Sequence, residues 1–166
     1  MPLGTYENFP ENLHTIARIT MLASSKKTQQ TLIKTFQKLN TETFSLDAVT
    51  DPSIPNCTVK FEFGLAEANS FNYLDEEEAK KATAAVQKQP MQTMDFLCAI
   101  CYYKNDKEKK TPLRFDYYLI RFVFREPQIE LRLFHEKGPR HTMPEDLTNF
   151  IITKINENAA KKLLKT

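Results

Sequence analysis

The feature that most constrains this chain is the run Leu113 to Arg125, Leu-Arg-Phe-Asp-Tyr-Tyr-Leu-Ile-Arg-Phe-Val-Phe-Arg, which passes through Glu126-Pro127 into Gln128 to His135. Aromatic and β-branched residues favour extended backbone, and successive side chains of a strand point to opposite faces, so the two runs read as one long antiparallel hairpin. A two-residue loop at Glu126-Pro127 places Arg125 opposite Gln128 and fixes every pair behind it. Phe124, Phe122, Ile120 and Tyr118 then face Ile129, Leu131, Leu133 and His135, which defines an expected core face. The other face sets Val123 against Glu130, Arg121 against Arg132, Leu119 against Phe134 and Tyr117 against Glu136. Two arginines directly opposite cost up to about 1 kcal/mol unless an anion lies between them, and Glu130, diagonal to Arg121, is the candidate. Glu-Pro is not a favoured tight turn, and a longer loop that shifted the register by two residues would keep the faces but part the arginines.

The remaining elements follow from periodicity. Ile16 to Ala23 alternates weakly and predicts a strand, although a continuous helix from Glu11 to Leu39 also fits the apolar spacing; Leu32, Ile33, Phe36 and Leu39 recur at helical spacing after Ser24-Ser25. Phe44 to Val49 reads as a short strand. The segment from Asp51 to Asn56, with two prolines, reads as a loop. Val59, Phe61, Phe63 and Leu65 alternate with Lys60, Glu62 and Gly64 and predict a strand with one buried face. Asp75 caps a helix running to about Lys88, with Glu76 to Glu78 complementing the positive end of its dipole and Ala79, Ala82 and Val86 forming a stripe of small residues. Pro90 stops it. Asp95 to Tyr103 reads as a strand apolar on both faces. Thr142 at a cap position, Pro144 in the first turn and Glu145 three residues after the cap open a last helix with the stripe Leu147, Phe150, Ile151, Ile155, Ala159 and Leu163. The expected fold is α+β: a mostly antiparallel sheet of five to six strands with three helices, in the order β-α-β-β-α-β-β-β-α. The 166 residues, 41% apolar and including 12 Phe and 6 Tyr, suffice for one core. The chain therefore reads as one domain over 1–166, with 1–11 and 165–166 expected to be loosely ordered.

Composition narrows the function classes. The longest apolar stretches fall far short of the roughly 18 residues of a membrane-spanning helix, and no signal peptide pattern opens the chain. Three cysteines make no disulfide framework and fit a reducing cytoplasm. Only Gly4, Gly64 and Gly138 occur, so glycine-rich phosphate loops are absent. Cys98 and Cys101 lie three apart in an expected strand and so point to opposite faces, which argues for packing rather than metal or redox chemistry. His14 stands alone. The expectation is a protein that is not an enzyme and needs no cofactor or metal.

Charge is uneven. Residues 1–103 hold 9 Lys/Arg and 12 Asp/Glu, whereas residues 104–166 hold 14 and 9. A lysine-rich loop over 104–110 and a solvated helix end are expected to account for most of this excess. Two surfaces carry binding expectations. Arg121, Arg132, Tyr117 and Phe134 on the second face of the hairpin form an arginine-aromatic platform of the kind that takes bases and phosphates, unless helices or a second subunit cover it and carboxylates pair the arginines. The loop from His135 to His141 delivers Lys137, Arg140 and His141 just before a helix N-terminus, where free amides attract anions. The expected function is a non-catalytic binding or adaptor module acting through a protein partner or as a homodimer, since Phe134, Tyr117 and Leu119 need cover. Nucleic acid is the alternative partner.

Overall fold

The structure, a computed structural model, describes residues 3–51, 54–106 and 109–166. Positions 52–53, inside the expected proline loop, positions 107–108, inside the expected lysine-rich loop, and positions 1–2 at the expected loose end lie outside the described residues; on either side of 107–108 the expected loop is instead strand, since Lys104, Asn105 and Asp106 pair with Thr111, Lys110 and Lys109.

The elements are β1 (Thr15–Met21), α1 (Ser25–Leu39), β2 (Thr43–Ser45), a 3-10 turn (Leu46–Ala48), β3 (Cys57–Glu67), β4 (Ser70–Tyr73), α2 (Glu76–Lys88), β5 (Thr93–Asp106), β6 (Lys109–Arg125), β7 (Gln128–Lys137), α3 (Pro144–Glu157) and β8 (Leu164–Lys165). All strand pairs are antiparallel, in the order β2-β3-β5-β6-β7-β1-β8, with β4 paired to β3. The protein is α+β with three helices, but the sheet has eight strands rather than five to six. The two additional strands are β4 and β8. The turn into β4 is Ala68-Asn69, where Ala68 takes a left-handed φ of 57° that glycine or asparagine would ordinarily signal. β8 is two residues long, too short for any periodicity to show.

The β6-β7 register is the one the hairpin loop implies, from Arg125 opposite Gln128 to Tyr118 opposite His135, including Arg121 opposite Arg132. It departs at the far end, where a bulge pairs Tyr117 with Lys137 instead of Glu136. The Glu126-Pro127 bond is cis.

One face of the sheet carries Phe61, Phe63, Phe96, Ile120, Phe122, Ile129, Leu131 and Leu133, all 0–1% exposed. Helices α1 and α3 lie on it. Phe36 of α1 stacks on Phe63 with centroids 4.1 Å apart and meets Phe96 edge-on, and Phe150 of α3 stacks on Phe61. Rings of this size gain about 1.5–3 kcal/mol each from burial. Asp75 caps α2 through Glu78 N–H, and Ala79, Ala82 and Val86 are its buried residues. β1 is a strand, so the continuous-helix alternative is excluded: Ser24 caps α1 and ends the extended segment before it.

Three further boundaries differ from the sequence expectation. In place of a strand over Phe44 to Val49 there is a three-residue strand, Thr43–Ser45, followed by a 3-10 turn, because Leu46 and Val49 turn into the core. Thr142 is not the cap of α3. Met143 holds that position, while Thr142 is fully buried one residue earlier, its hydroxyl taken by Tyr102. The helix ends at Glu157, and Ala159 and Leu163 reach the core from the segment beyond it, held by Asn156, whose side-chain oxygen accepts from the amides of Leu163 and Leu164.

Candidate binding surface

Among the described residues no helix lies on the second face of the sheet. Residues 3–14 run across one end of it. Gly4 enters where β3 and β5 diverge, its N–H donating to Ala66 O at 2.7 Å and its carbonyl accepting from Asp95 N–H at 2.6 Å. Its φ of +100° and a neighbouring Met91 sulfur leave no room for a side chain there. Tyr6 follows, its N–H donating to the Asp95 carboxylate at 2.7 Å and its ring 4.8 Å from Phe71. Phe9 then lies 4.3 Å from the Arg121 guanidinium, and His14 stacks on Phe134 at 4.9 Å before β1 begins.

Arg121 is held inside this strap. Its Nε and one terminal nitrogen donate to both oxygens of Asp95, each at 2.8 Å, and it also donates to Tyr6 O. Asp95 is fully buried, so the pair is a desolvated fork-to-carboxylate contact whose remaining acceptor capacity goes to the strap. Arg132 donates to Glu130 at 2.6 Å, and that hydrogen bond holds the Glu130 carboxyl below its usual range. Both platform arginines thus have carboxylate partners. Leu119 is 6% exposed, and Phe134 is half-buried under His14.

The other end of the same face is open. Here Tyr103 stands opposite Pro112, Cys101 opposite Phe115, and Ala99 opposite Tyr117. Phe115 is 41% exposed. The Phe115 and Tyr117 rings are 6.0 Å apart; Lys137 lies 4.8 Å from the Tyr117 ring, and Lys60 and Lys110 flank Tyr103 at 5.9 and 6.0 Å. Of the residues expected at the platform, Tyr117 is therefore in the open part, joined by Lys137 from the neighbouring loop expectation. Tyr103, Phe115, Lys60 and Lys110 were not identified from sequence. The cross-strand partners of Tyr103 and Lys60 depend on pairing between segments far apart in the chain, which no local pattern encodes.

The loop after β7 is built around a second buried carboxylate. Asp116 is fully buried and accepts from the backbone amides of Arg140 (2.7 Å) and His141 (2.9 Å), from the His135 ring (2.8 Å) and from the Tyr102 hydroxyl. Tyr118 donates to Thr142 O at 2.6 Å. Burial, reinforced by Asp116, pushes both phenols well above their ordinary range. Gly138 has φ +118°, and a Cβ there would fall on the Phe115 carbonyl and the Asp116 carboxylate. The loop amides expected to attract an external anion are thus given to an internal one. His141 is half-buried against Tyr102, whereas Arg140 and Lys137 are exposed.

Cys98 faces the core and Cys101 the opposite side, as their spacing requires; burial pushes Cys98 well above its ordinary pKa and Cys101 up to about 12. Among the described residues no group of three or more His, Cys, Asp or Glu is placed to hold a metal ion, and no helix is long and apolar enough to cross a membrane. A cleft of about 580 Å³ lies between α1 and α2, lined by Gln30, Lys34, Ala79, Thr83 and Gln87 among others; it contains none of the buried titratable groups. No known protein family, curated protein or solved structure matches the chain.

Proposed function

We propose that this chain is a non-catalytic binding module whose contact surface is the open end of the outer sheet face. The observation that carries the reading is the cluster of Tyr103, Phe115 and Tyr117 with Lys60, Lys110 and Lys137 on rigid strands, beside a region that the strap closes. The exposed Phe115 ring and the half-buried Tyr103 and Tyr117 rings offer stacking surfaces, and ammonium groups around them attract backbone phosphates, a combination that suits single-stranded nucleic acid. Arg121 and Arg132 enter this reading only as structural neighbours, since each is engaged by a carboxylate.

The test is a fluorescence anisotropy titration with short single-stranded and duplex DNA and RNA at low and moderate salt. Wild type is expected to bind single strands at micromolar concentration, more weakly as salt rises. Phe115→Ala with Tyr117→Ala should weaken binding at least tenfold, given about 1–3 kcal/mol per stacked base. Binding unchanged in that variant, or no binding by wild type, contradicts the reading.

A second reading, self-association, rests on a different observation. β8 pairs only with Thr20 and Met21 of β1, and Met21 N–H bonds to Pro127 O, so by alternation the backbone groups of Ile16 and Arg18 point away from β7. No strand lies beside them among the described residues, and Ile16 is 51% exposed. An edge of this kind can pair with another strand. Leu119, one of the residues behind the expectation of a sheet-face dimer, is 6% exposed within the single chain. Light scattering after gel filtration should give a dimer mass at micromolar concentration under this second reading; a monomer mass removes it.

A further inference from the structure

The ring of His14 and the side chain of Arg140 meet with donors facing donors. His14 Nδ1 accepts the His135 backbone N–H at 2.8 Å. A backbone amide can only donate, so this nitrogen carries no proton, and in the neutral ring the proton sits on Nε2. That Nε2–H faces a terminal nitrogen of Arg140 at 3.1 Å, which is also a donor and is always charged. Among the described residues no carboxylate or carbonyl accepts from the Arg140 guanidinium. The contact therefore makes no hydrogen bond of its own, and both donors are left to solvent or to an added acceptor.

Both groups are fixed from behind. The Phe134 ring lies parallel to His14 at 4.9 Å, and the amide of His135 sets the ring's rotation. The Arg140 backbone is in the left-handed region, φ 58°, with its N–H bound to the buried Asp116. Both residues are exposed on their outer side. Burial of its ring atoms, the Arg140 charge and His135 favour neutral His14, so the Nε2–H remains a single directed donor beside a fork of guanidinium donors.

We propose that His14 and Arg140 form a binding site for an oxyanion with two adjacent acceptor oxygens, a phosphate or a carboxylate. One oxygen takes the His14 Nε2–H and the other the Arg140 guanidinium, which converts the opposed donors into a bidentate contact. The loop amides of Arg140 and His141 take no part, since Asp116 holds them. This site does not rest on what the open aromatic face binds.

The experiment uses the full 15N-labelled chain at pH 7.5 in an amine buffer, with ionic strength held constant by sodium chloride. Imidazole 15N spectra are recorded while inorganic phosphate or acetate is titrated. In the free protein His14 is expected in the Nε2–H form, with a saturable shift of its ring on adding phosphate. Arg140→Gln should raise the half-saturation concentration at least tenfold. His14→Asn keeps an acceptor for the His135 amide and should preserve the amide spectrum of the loop; with the ring gone, its phosphate titration is read on the Arg140 side-chain Nε–H resonance, whose half-saturation concentration should rise relative to wild type. Saturation by both ions supports the shared oxyanion chemistry; saturation by phosphate alone supports the site and narrows its ligand. A proton on Nδ1, no saturable shift with either ion, or an equal half-saturation in Arg140→Gln overturns the proposal.

Discussion

Two segments of this protein, the strap over one end of the outer face and the loop between β7 and α3, are each organised by one fully buried aspartate, and the two aspartates are balanced differently. Asp95 has a complete counter-charge in the Arg121 fork and uses its spare capacity on the Tyr6 amide. Among the described residues no arginine or lysine side chain pairs with Asp116, which is held by two backbone amides, a phenol and a histidine ring. A carboxylate neutralised by one cation can in principle be replaced together with that cation. One neutralised by scattered donors cannot, because each donor loses its acceptor when the carboxylate goes. The first arrangement fastens a segment that leaves the sheet exposed elsewhere; the second builds the turn into a helix.

The largest expected effect is therefore at Asp116. Asp116→Asn replaces one of the two carboxylate oxygens with a donor, so part of the set from Tyr102, His135, Arg140 and His141 loses its acceptor, and urea denaturation should show a loss of about 4 kcal/mol. Arg121→Ala leaves the Asp95 charge buried and unpaired, at a cost of about 3 kcal/mol. The double variant Asp95→Leu with Arg121→Met should recover most of that loss, and a double variant as costly as Arg121→Ala would show that the two regions do not differ as described. Phe9→Ala removes only the ring over the Arg121 guanidinium and should cost about 1 kcal/mol. Its amide exchange should speed up at Tyr6 and stay unchanged at Arg140 and His141. The smallest effect is a pH slope from His14. Burial, Arg140 and His135 lower its folded pKa below 6.5. The unfolded chain therefore takes up the proton first, so this contribution to stability is complete above about pH 6.5 and is lost as pH falls through the folded value. Denaturation midpoints measured across that window should show a shallower slope in His14→Asn than in wild type.

Periodicity along single segments made the core face legible. Phe61 and Phe63, Phe122 and Ile120, and Leu131 and Leu133 alternate in their own strands, and a two-residue loop fixed the hairpin register through eight pairs before the bulge. The outer face was harder to read because its cover comes from residues 3–14, which have no periodic pattern and bind through backbone atoms of Gly4 and Tyr6. Polar residues that act as staples left no local signal either. Asn40 donates to Phe63 O and Leu74 O and accepts from Phe63 N–H, filling the gap between β2 and β4 along the edge of β3. Gln29 does the same for Met91 through its oxygen and nitrogen. In sequence both look like ordinary polar positions of a helix or its end. Asp116 and His135 sit at core-facing positions of apolar strands, and that mismatch between residue type and face was the available sign of a buried polar network. Its partners Tyr102 and Thr142 come from other segments and could not be named.

The division of the outer face into a strapped end and an open end is tested most directly by mapping amide and side-chain NMR shifts while a short single-stranded oligonucleotide is titrated into the labelled chain. Shifts are expected at Lys60, Tyr103, Lys110, Phe115, Tyr117 and Lys137, with Tyr6, Phe9, Asp95 and Arg121 unmoved. Shifts centred on the strap or on the helices, or none at saturating oligonucleotide, would contradict it.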